Sequence, residues 1–120
     1  MYRILVLALD GVVDSSLALT LDTVATARRV LGGRGREERR NLSATLFCPG
    51  RRRIRTAGGG SYAVASTAKP SRYDALVVPG LGLASPREIE SFLSKRSTAA
   101  VLKWMRGAGP RFPLVAASCS

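Results

Sequence analysis

The sequence predicts an α/β fold in which helices flank a parallel sheet. Residues 4–9 are apolar at every position, which is typical of a strand buried on both faces in the middle of a parallel sheet. Strand-like and helix-like segments follow in the order strand, helix, strand, strand, helix, strand. This order indicates parallel strands that are joined by right-handed crossovers.

The first half of the chain contains two predicted strands and one helix. After the strand at residues 4–9, the turn "DGVVDSS" leads into a helix predicted over residues 17–31. One of three residues is available as its N-cap, and Gly32 and Gly33 stop it. The apolar positions of this helix recur at three-, four- and seven-residue steps: Leu17, Leu21, Val24 and Leu31. The N-cap candidates are Asp14, Ser15 and Ser16. After a polar connector, "LSATLFC" is the second strand.

The second half begins with "RRRIRTAGGG", which alternates weakly and is predicted as the returning arm of a hairpin or as an edge segment. The third strand, "YDALVVPGLG", ends at Pro79 and Gly80. In "SPREIESFLSK", Ser85 as N-cap, Pro86 at the first helical position and Glu88 form a capping box. The helix is expected to continue through "TAAVLKWMR" until "GAG" stops it, and "FPLVAA" is the fourth strand.

Composition narrows the class of protein. The chain has 120 residues, of which 46% are hydrophobic, enough for one small domain. No apolar run approaches the roughly 20 residues that cross a bilayer, and no small-residue cleavage site follows the opening apolar segment. We therefore expect no secretory signal and a cytoplasmic protein without membrane contact. Histidine is absent, and the two cysteines, Cys48 and Cys119, have no metal or disulfide spacing. We therefore expect reduced thiols, no metal and no cofactor.

The charge is strongly basic, with a formal net charge of +11 and eight arginines against two glutamates between residues 34 and 55. Clustered arginines suit a nucleic-acid contact, because they neutralise phosphates and release counterions. The same arginines are also compatible with solvated loops that are rich in arginine because of a high-GC coding bias. The sequence favours solvated loops, since no aromatic interleaving, zinc spacing or helix-turn-helix pattern accompanies the arginines.

Two turns are candidates for chemistry, because ligands bind beyond the carboxyl ends of the strands in an open α/β sheet. Cys119 follows the fourth strand, where a tight turn would expose a nucleophile and a following helix would lower the pKa of its thiol. After the third strand, the N–H groups of Gly80 or Leu81 are candidates for half of an oxyanion hole. The alternative for Cys119 is a small buried packing residue.

Asp22 is the candidate acidic partner. It lies in the first helix between Ala18 and Ala25, one turn away on either side, so it is either half-buried at the carboxyl edge of the sheet or solvated on the outer face. A half-buried carboxylate there would share a proton or a hydrogen bond with a thiol. Without histidine, no Cys–His pair can form within the chain.

Three segments together carry a family resemblance: "RILVLALDGVVDSSLALTLDTVATARRV", "YDALVVPGLG" and "LKWMR…PLVAASCS". In order and spacing they resemble the amino-terminal domain of GlxA-like transcriptional regulators of the AraC type. That domain belongs to the ThiJ/PfpI branch of the class I glutamine amidotransferase-like superfamily. The resemblance implies a flavodoxin-like sheet, with Cys119 at the elbow cysteine, Asp22 at the acidic position of helix one (usually Glu), and Gly80 at the turn after the third strand.

The family continues beyond the elbow cysteine with a helix, more strands and a DNA-binding helix-turn-helix module. We therefore expect residues 1–120 to form a partial domain, incomplete at the carboxyl terminus, with the DNA-binding domain absent. The resemblance further implies a homodimer, an unknown small-molecule effector, and DNA contact only through the missing module.

Three functions follow from these observations. The favoured one is the effector-sensing and dimerisation part of an AraC-type regulator, without turnover. The alternative is a stand-alone ThiJ/PfpI-type hydrolase or hydratase, in which Cys119 attacks, Asp22 manages the proton, and Gly80 and Leu81 hold the developing anion. The third is direct nucleic-acid binding through the arginines.

Overall fold

The structure, a computed structural model, describes residues 1–32 and 42–118. Within these ranges, single turns of 3-10 helix at Pro70–Arg72 and Gly109–Arg111 supplement the strands and helices. The strands are β1 (Tyr2–Leu7), β2 (Leu42–Phe47), β3 (Arg53–Arg55), β4 (Ser61–Ala63), β5 (Ala75–Val78) and β6 (Leu114–Ala117). The helices are α1 (Asp14–Gly32), α2 (Pro86–Ser94) and α3 (Arg96–Ala108). The predicted α/β class is confirmed.

Four of the strands form one parallel sheet in the order β2-β1-β5-β6. Counted within this sheet alone, the order is 2-1-3-4, which is the flavodoxin-like order up to its fourth strand. The predicted flavodoxin-like sheet is therefore confirmed. The strand order reverses between β1 and β5, and in sheets of this kind the ligand crevice opens beyond the carboxyl ends of the strands at such a reversal.

The helices lie on both faces of the sheet. The connection through α1 steps from β1 to β2 and the connection through α2 and α3 steps the other way, so right-handed crossovers place them on opposite faces. Leu17 and Val24 are the buried anchors of α1. On the other face, Trp104 of α3 packs between two rings, with centroid distances of 4.8 Å to Phe47 and 6.0 Å to Phe112.

The centre and the edge of the sheet differ sharply in burial. Leu5, Val6 and Leu7 of β1 are each 0% exposed, which confirms the prediction of a strand buried on both faces. All residues of the edge strand β6 are exposed, with Leu114 at 52% and Val115 at 49%. Since these two neighbours point to opposite faces, neither face of β6 is covered within the described residues.

The segment "RRRIR" forms the first arm of a separate hairpin. β3 and β4 pair antiparallel, with Ile54 opposite Tyr62, in a two-stranded sheet of their own. The segment is thus a hairpin arm with a single strand partner, but it is the first arm and not the predicted returning one, because the chain reverses only afterwards, at the glycine-rich turn. Gly59 has φ +89° there, a conformation that glycine adopts without strain.

The capping box before α2 is present. The Oγ of Ser85 accepts from the N–H of Glu88 at 3.2 Å, and the Glu88 carboxylate accepts from the N–H of Ala84, one residue earlier than the usual pattern. The helix predicted to continue from there is instead two helices, because Lys95 between them is extended (φ −73°, ψ 143°). As predicted, "GAG" ends α3, whose last residue is Ala108 and whose C-cap is Gly109.

Among the described residues, no helix combines the length and the hydropathy that crossing a bilayer requires.

Candidate functional site

Three residues meet at the carboxyl edge of the sheet, and we call them the rim cluster: Ser16, Gly80 and Ser118. The N–H of Gly80 donates to the Oγ of Ser16 at 2.9 Å and to the Oγ of Ser118 at 3.2 Å. The two hydroxyl oxygens lie 3.0 Å apart, so one hydroxyl donates to the other. Three segments that are distant in the sequence therefore share one hydrogen-bonded site.

Backbone pairing places each member of the rim cluster. The N–H of Val13 donates to the carbonyl of Gly80 at 2.9 Å, and the carbonyl of Val13 accepts from the N–H of Leu17 at 3.0 Å. Helix α1 thus begins three residues before the predicted start and carries Ser16 in its first turn. The N–H of Ser118 donates to the carbonyl of Val78 at 3.0 Å, which extends the β5–β6 pairing to the rim.

The loops around the rim cluster are tied to one another. Val12 forms an antiparallel bridge with Leu81 and a parallel bridge with Thr56. At Gly82 the loops approach closely, since a Cβ there would lie 3.1 Å from the Cβ of Ala57. The loops after β1, β3 and β5 therefore hold one another in place.

The structure brings two of the predicted site residues to the rim. Gly80 is buried, and its N–H is already bonded to the two serine hydroxyls. Leu81 is half-buried in its bridge to Val12. Cys119 lies outside the described residues, directly after Ser118 of the rim cluster, and its role stays a prediction.

Asp22 is not beside the rim cluster. It follows Ser16 by six residues, about 9 Å along the helix axis, and its side chain is exposed. It lies in a shallow, mainly apolar groove on α1, together with Leu19 and Val30. Of the alternatives for Asp22, its exposure agrees with the solvated position.

The residue of α1 that lies at the rim is Ser16, whereas the sequence predicts the acidic residue Asp22 there. The sequence presents Ser16 only as an N-cap candidate before α1, and no residue pattern marks its contact with Gly80, 64 residues away. The signal that bears on it is the polar run "DSS" at the end of the turn "DGVVDSS", which follows a buried strand.

A second polar cluster joins the start of α1 to the β3–β4 turn. The Asp14 carboxylate accepts from the hydroxyl of Thr56 and from the N–H of Gly58, the latter at 2.7 Å. The Thr56 hydroxyl also accepts from the N–H of Gly60 at 2.9 Å. These contacts hold the pKa of Asp14 below its ordinary value of 3.8, the Thr56 hydroxyl being the largest cause and the Gly58 N–H the next.

The lowered pKa of Asp14 predicts a loss of stability in acid. Because the folded pKa is lower than the unfolded one, the carboxylate stabilises the fold above about pH 4, and this is lost as pH falls through the lowered value. Urea unfolding should therefore need less denaturant at pH 3 than at pH 6. Asp14→Asn and Thr56→Val should both shrink that difference, whereas an unchanged difference in both variants would contradict the assignment.

Two arginines in and just before the β3–β4 hairpin bind other side chains of the protein. Arg51 forms an ion pair with Asp10 at 2.9 Å, and Arg53 donates to the Oγ of Ser61 at 2.9 Å. The other arginine group, residues 34–40, lies outside the described residues. Direct nucleic-acid binding stays a prediction.

Comparison with known proteins identifies the fold. No protein-family model matches the sequence, and no curated protein sequence matches it either. Solved structures do match. A DJ-1 superfamily protein from Agrobacterium tumefaciens is 22% identical with a TM-score of 0.61, and the match covers 98% of this chain and 53% of that one.

Two further structures extend this likeness. An AraC family transcriptional regulator from Pseudomonas putida is 18% identical with a TM-score of 0.54, and the match covers 97% of this chain and 64% of that one. A protein from Bacteroides thetaiotaomicron that is provisionally classed as protease I is 15% identical with a TM-score of 0.66. That match covers 98% of this chain and 62% of that one. The chain thus spans between 53% and 64% of the length of these structures. Its parallel sheet and flanking helices therefore have the fold that DJ-1 superfamily proteins share with AraC-type transcriptional regulators.

Proposed function

We propose that the chain is the effector-sensing and dimerisation part of a GlxA-like, AraC-type transcription regulator in the cytoplasm, and that its rim binds a ligand without turning it over. The observation that carries the non-catalytic part of this proposal is that the Gly80 N–H donates to the hydroxyls of Ser16 and Ser118. The likeness to an AraC family regulator supports the regulator part at the level of fold.

The chemistry of the rim cluster suits binding. An oxyanion hole needs a donor aimed at the place where negative charge develops, and the Gly80 donor is directed at two neutral oxygens. A general base works best with a pKa near the working pH, which a serine hydroxyl does not have. Each serine hydroxyl can both donate and accept a hydrogen bond, so the pair can adapt to a polar group of an effector.

We propose further that residues 1–120 are a partial domain, and that DNA is contacted by a helix-turn-helix module encoded beyond them. The likeness to an AraC family regulator supports this proposal at the level of fold. Translation of the DNA that follows codon 120, in all three frames, tests it. A helix-turn-helix coding region is expected, and a stop after the remainder of a single domain would contradict it.

The alternative is a stand-alone ThiJ/PfpI-type cysteine hydrolase or hydratase. Ser118, directly before Cys119, lies at the rim, and this favours a reactive position for the thiol. In that case Cys119 attacks the substrate, and Gly80 and Leu81 hold the developing anion. For Asp22 to manage the proton, its exposed side chain would have to be brought to the rim.

Thiol labelling at graded pH separates the two functions. In a Cys48→Ser background, where Cys119 is the only thiol, binding without turnover predicts a labelling midpoint near the ordinary thiol pKa of about 8.5. The enzyme predicts a lower midpoint that Asp22→Ala shifts. Glu90→Ala removes an exposed acid from α2 and is the control, which should leave the midpoint unchanged. A depressed midpoint that only Asp22→Ala moves would overturn the non-catalytic proposal.

A further inference from the structure

A cleft of about 350 Å³ opens between the loops that follow β1 and β2 and the junction of α2 with α3. Its volume falls in the range of roughly 300–1,000 Å³ that small-molecule sites occupy. Three groups of residues line it, an apolar floor, the first turn of α3 and a charged mouth. Its apolar lining includes Leu9, Pro49, Phe92, Ala100 and Val101. The cleft is separate from the rim cluster, because none of the rim residues lines it.

The first turn of α3 faces this cleft without a cap. Lys95 is the N-cap residue and makes no side-chain capping bond, and the first turn of this 13-residue helix contains no acidic residue. The first N–H groups of a helix lack partners within it and, with the helix dipole, favour a negative charge. Ser97 and Thr98 of this turn line the cleft.

Thr98 supplies a second and independent sign of a ligand. The residue is only 3% exposed, yet within the described residues its side chain makes no hydrogen bond. No fully buried side-chain oxygen or nitrogen in that part of the chain lacks a partner, so the Thr98 hydroxyl keeps a small accessible surface, and Thr98 is one of the residues that line the cleft. A hydroxyl in such a position is free to donate to an acceptor that enters the cleft.

The charges at the mouth favour an anion. Lys95 and Arg51 both line the cleft, against the single carboxylate of Asp10, which pairs with Arg51 at 2.9 Å. At the floor, Cys48 is a free and buried cysteine, and burial, as the largest cause, raises the pKa of its thiol. The thiol therefore stays neutral at neutral pH and does not repel an anion.

We propose that this cleft binds a small organic anion that has a carboxylate or phosphate head and an apolar body. The head lies at the first turn of α3, between the Thr98 hydroxyl and the Lys95 ammonium, and the body packs against the apolar floor. This site goes beyond the proposed regulator function and does not depend on it, since an enzyme could hold such a ligand equally well.

Titration of the full ¹⁵N-labelled chain with benzoate, followed by amide chemical shifts, tests the proposal. The amides of Ser97 and Thr98 should shift most. Thr98→Val, which keeps the shape but removes the hydroxyl, should weaken binding about tenfold, as expected for one lost hydrogen bond to a charged group. Lys95→Gln should also weaken binding, and Asp10→Asn, which removes the only carboxylate of the mouth, should strengthen it.

Controls make the result decisive. Lys103→Gln removes the same charge from α3 outside the cleft and should leave the affinity unchanged, and benzamide, the uncharged counterpart, should not bind. Phenyl phosphate compared with benzoate identifies the preferred head, and inorganic phosphate alone should bind more weakly than phenyl phosphate. Equal losses in Lys95→Gln and Lys103→Gln, binding of benzamide as tight as that of benzoate, or shifts confined to other regions would each overturn the proposal. A failed search for a helix-turn-helix module would not affect it.

Discussion

Leu17→Ala should lower the free energy of unfolding by about 2–5 kcal/mol, the range for deleting a buried leucine side chain. Leu17 is 0% exposed and lies in the first turn of α1, directly after Ser16 of the rim cluster. Because a small domain has only about 5–15 kcal/mol of net stability, this loss is a large fraction of the total. Urea unfolding followed by circular dichroism measures it.

Leu19→Ala is the matched control, since it makes the same deletion on the same helix at a residue that is 69% exposed. Its effect should stay within about 0.5 kcal/mol, as for most surface substitutions. Similar losses in the two variants would show that α1 is not anchored to the sheet through Leu17.

The chain of residues 1–120 should associate in solution through β6. This strand is apolar and exposed on both faces, and an open strand edge is a template for pairing with another chain. Sedimentation should therefore show association that increases with protein concentration. Val115→Lys should shift the chain strongly toward the monomer, because a lysine on an edge strand opposes such pairing.

The control for this experiment is Leu93→Lys, which introduces the same charge at a residue of similar exposure, 54% against 49% for Val115, on α2. It should leave the association unchanged. A chain that sediments as a monomer and melts in one sharp cooperative transition would contradict the expected association through β6.

The sequence predicts the elements of the sheet well because their signal is local. An uninterrupted apolar run identifies β1, and turn residues mark where β5 ends. The break at Lys95 has no such mark, because "LSKRST" contains neither glycine nor proline and every residue in it is compatible with a helix. The pattern therefore predicts one helix where the structure has two.

In the candidate site, too, the sequence predicts the features that depend on local residues and misses those that depend on tertiary contacts. Turn chemistry identifies Gly80, since the backbone has to leave the sheet after Pro79. The partners of Gly80 depend instead on tertiary pairing, because Ser16 and Ser118 are 102 residues apart. The anchoring of the first turn of α1 by Val13 places Ser16 at the rim, and no local rule contains that information.

The packing of Trp104 gives this protein a built-in optical reporter. It is the only tryptophan in the chain, and it lies between a ring at the end of β2 and a ring just before β6. Indole emission shifts to longer wavelength when water reaches the ring. Detachment of α3 from the sheet would therefore appear as a red shift in the emission of the unlabelled protein.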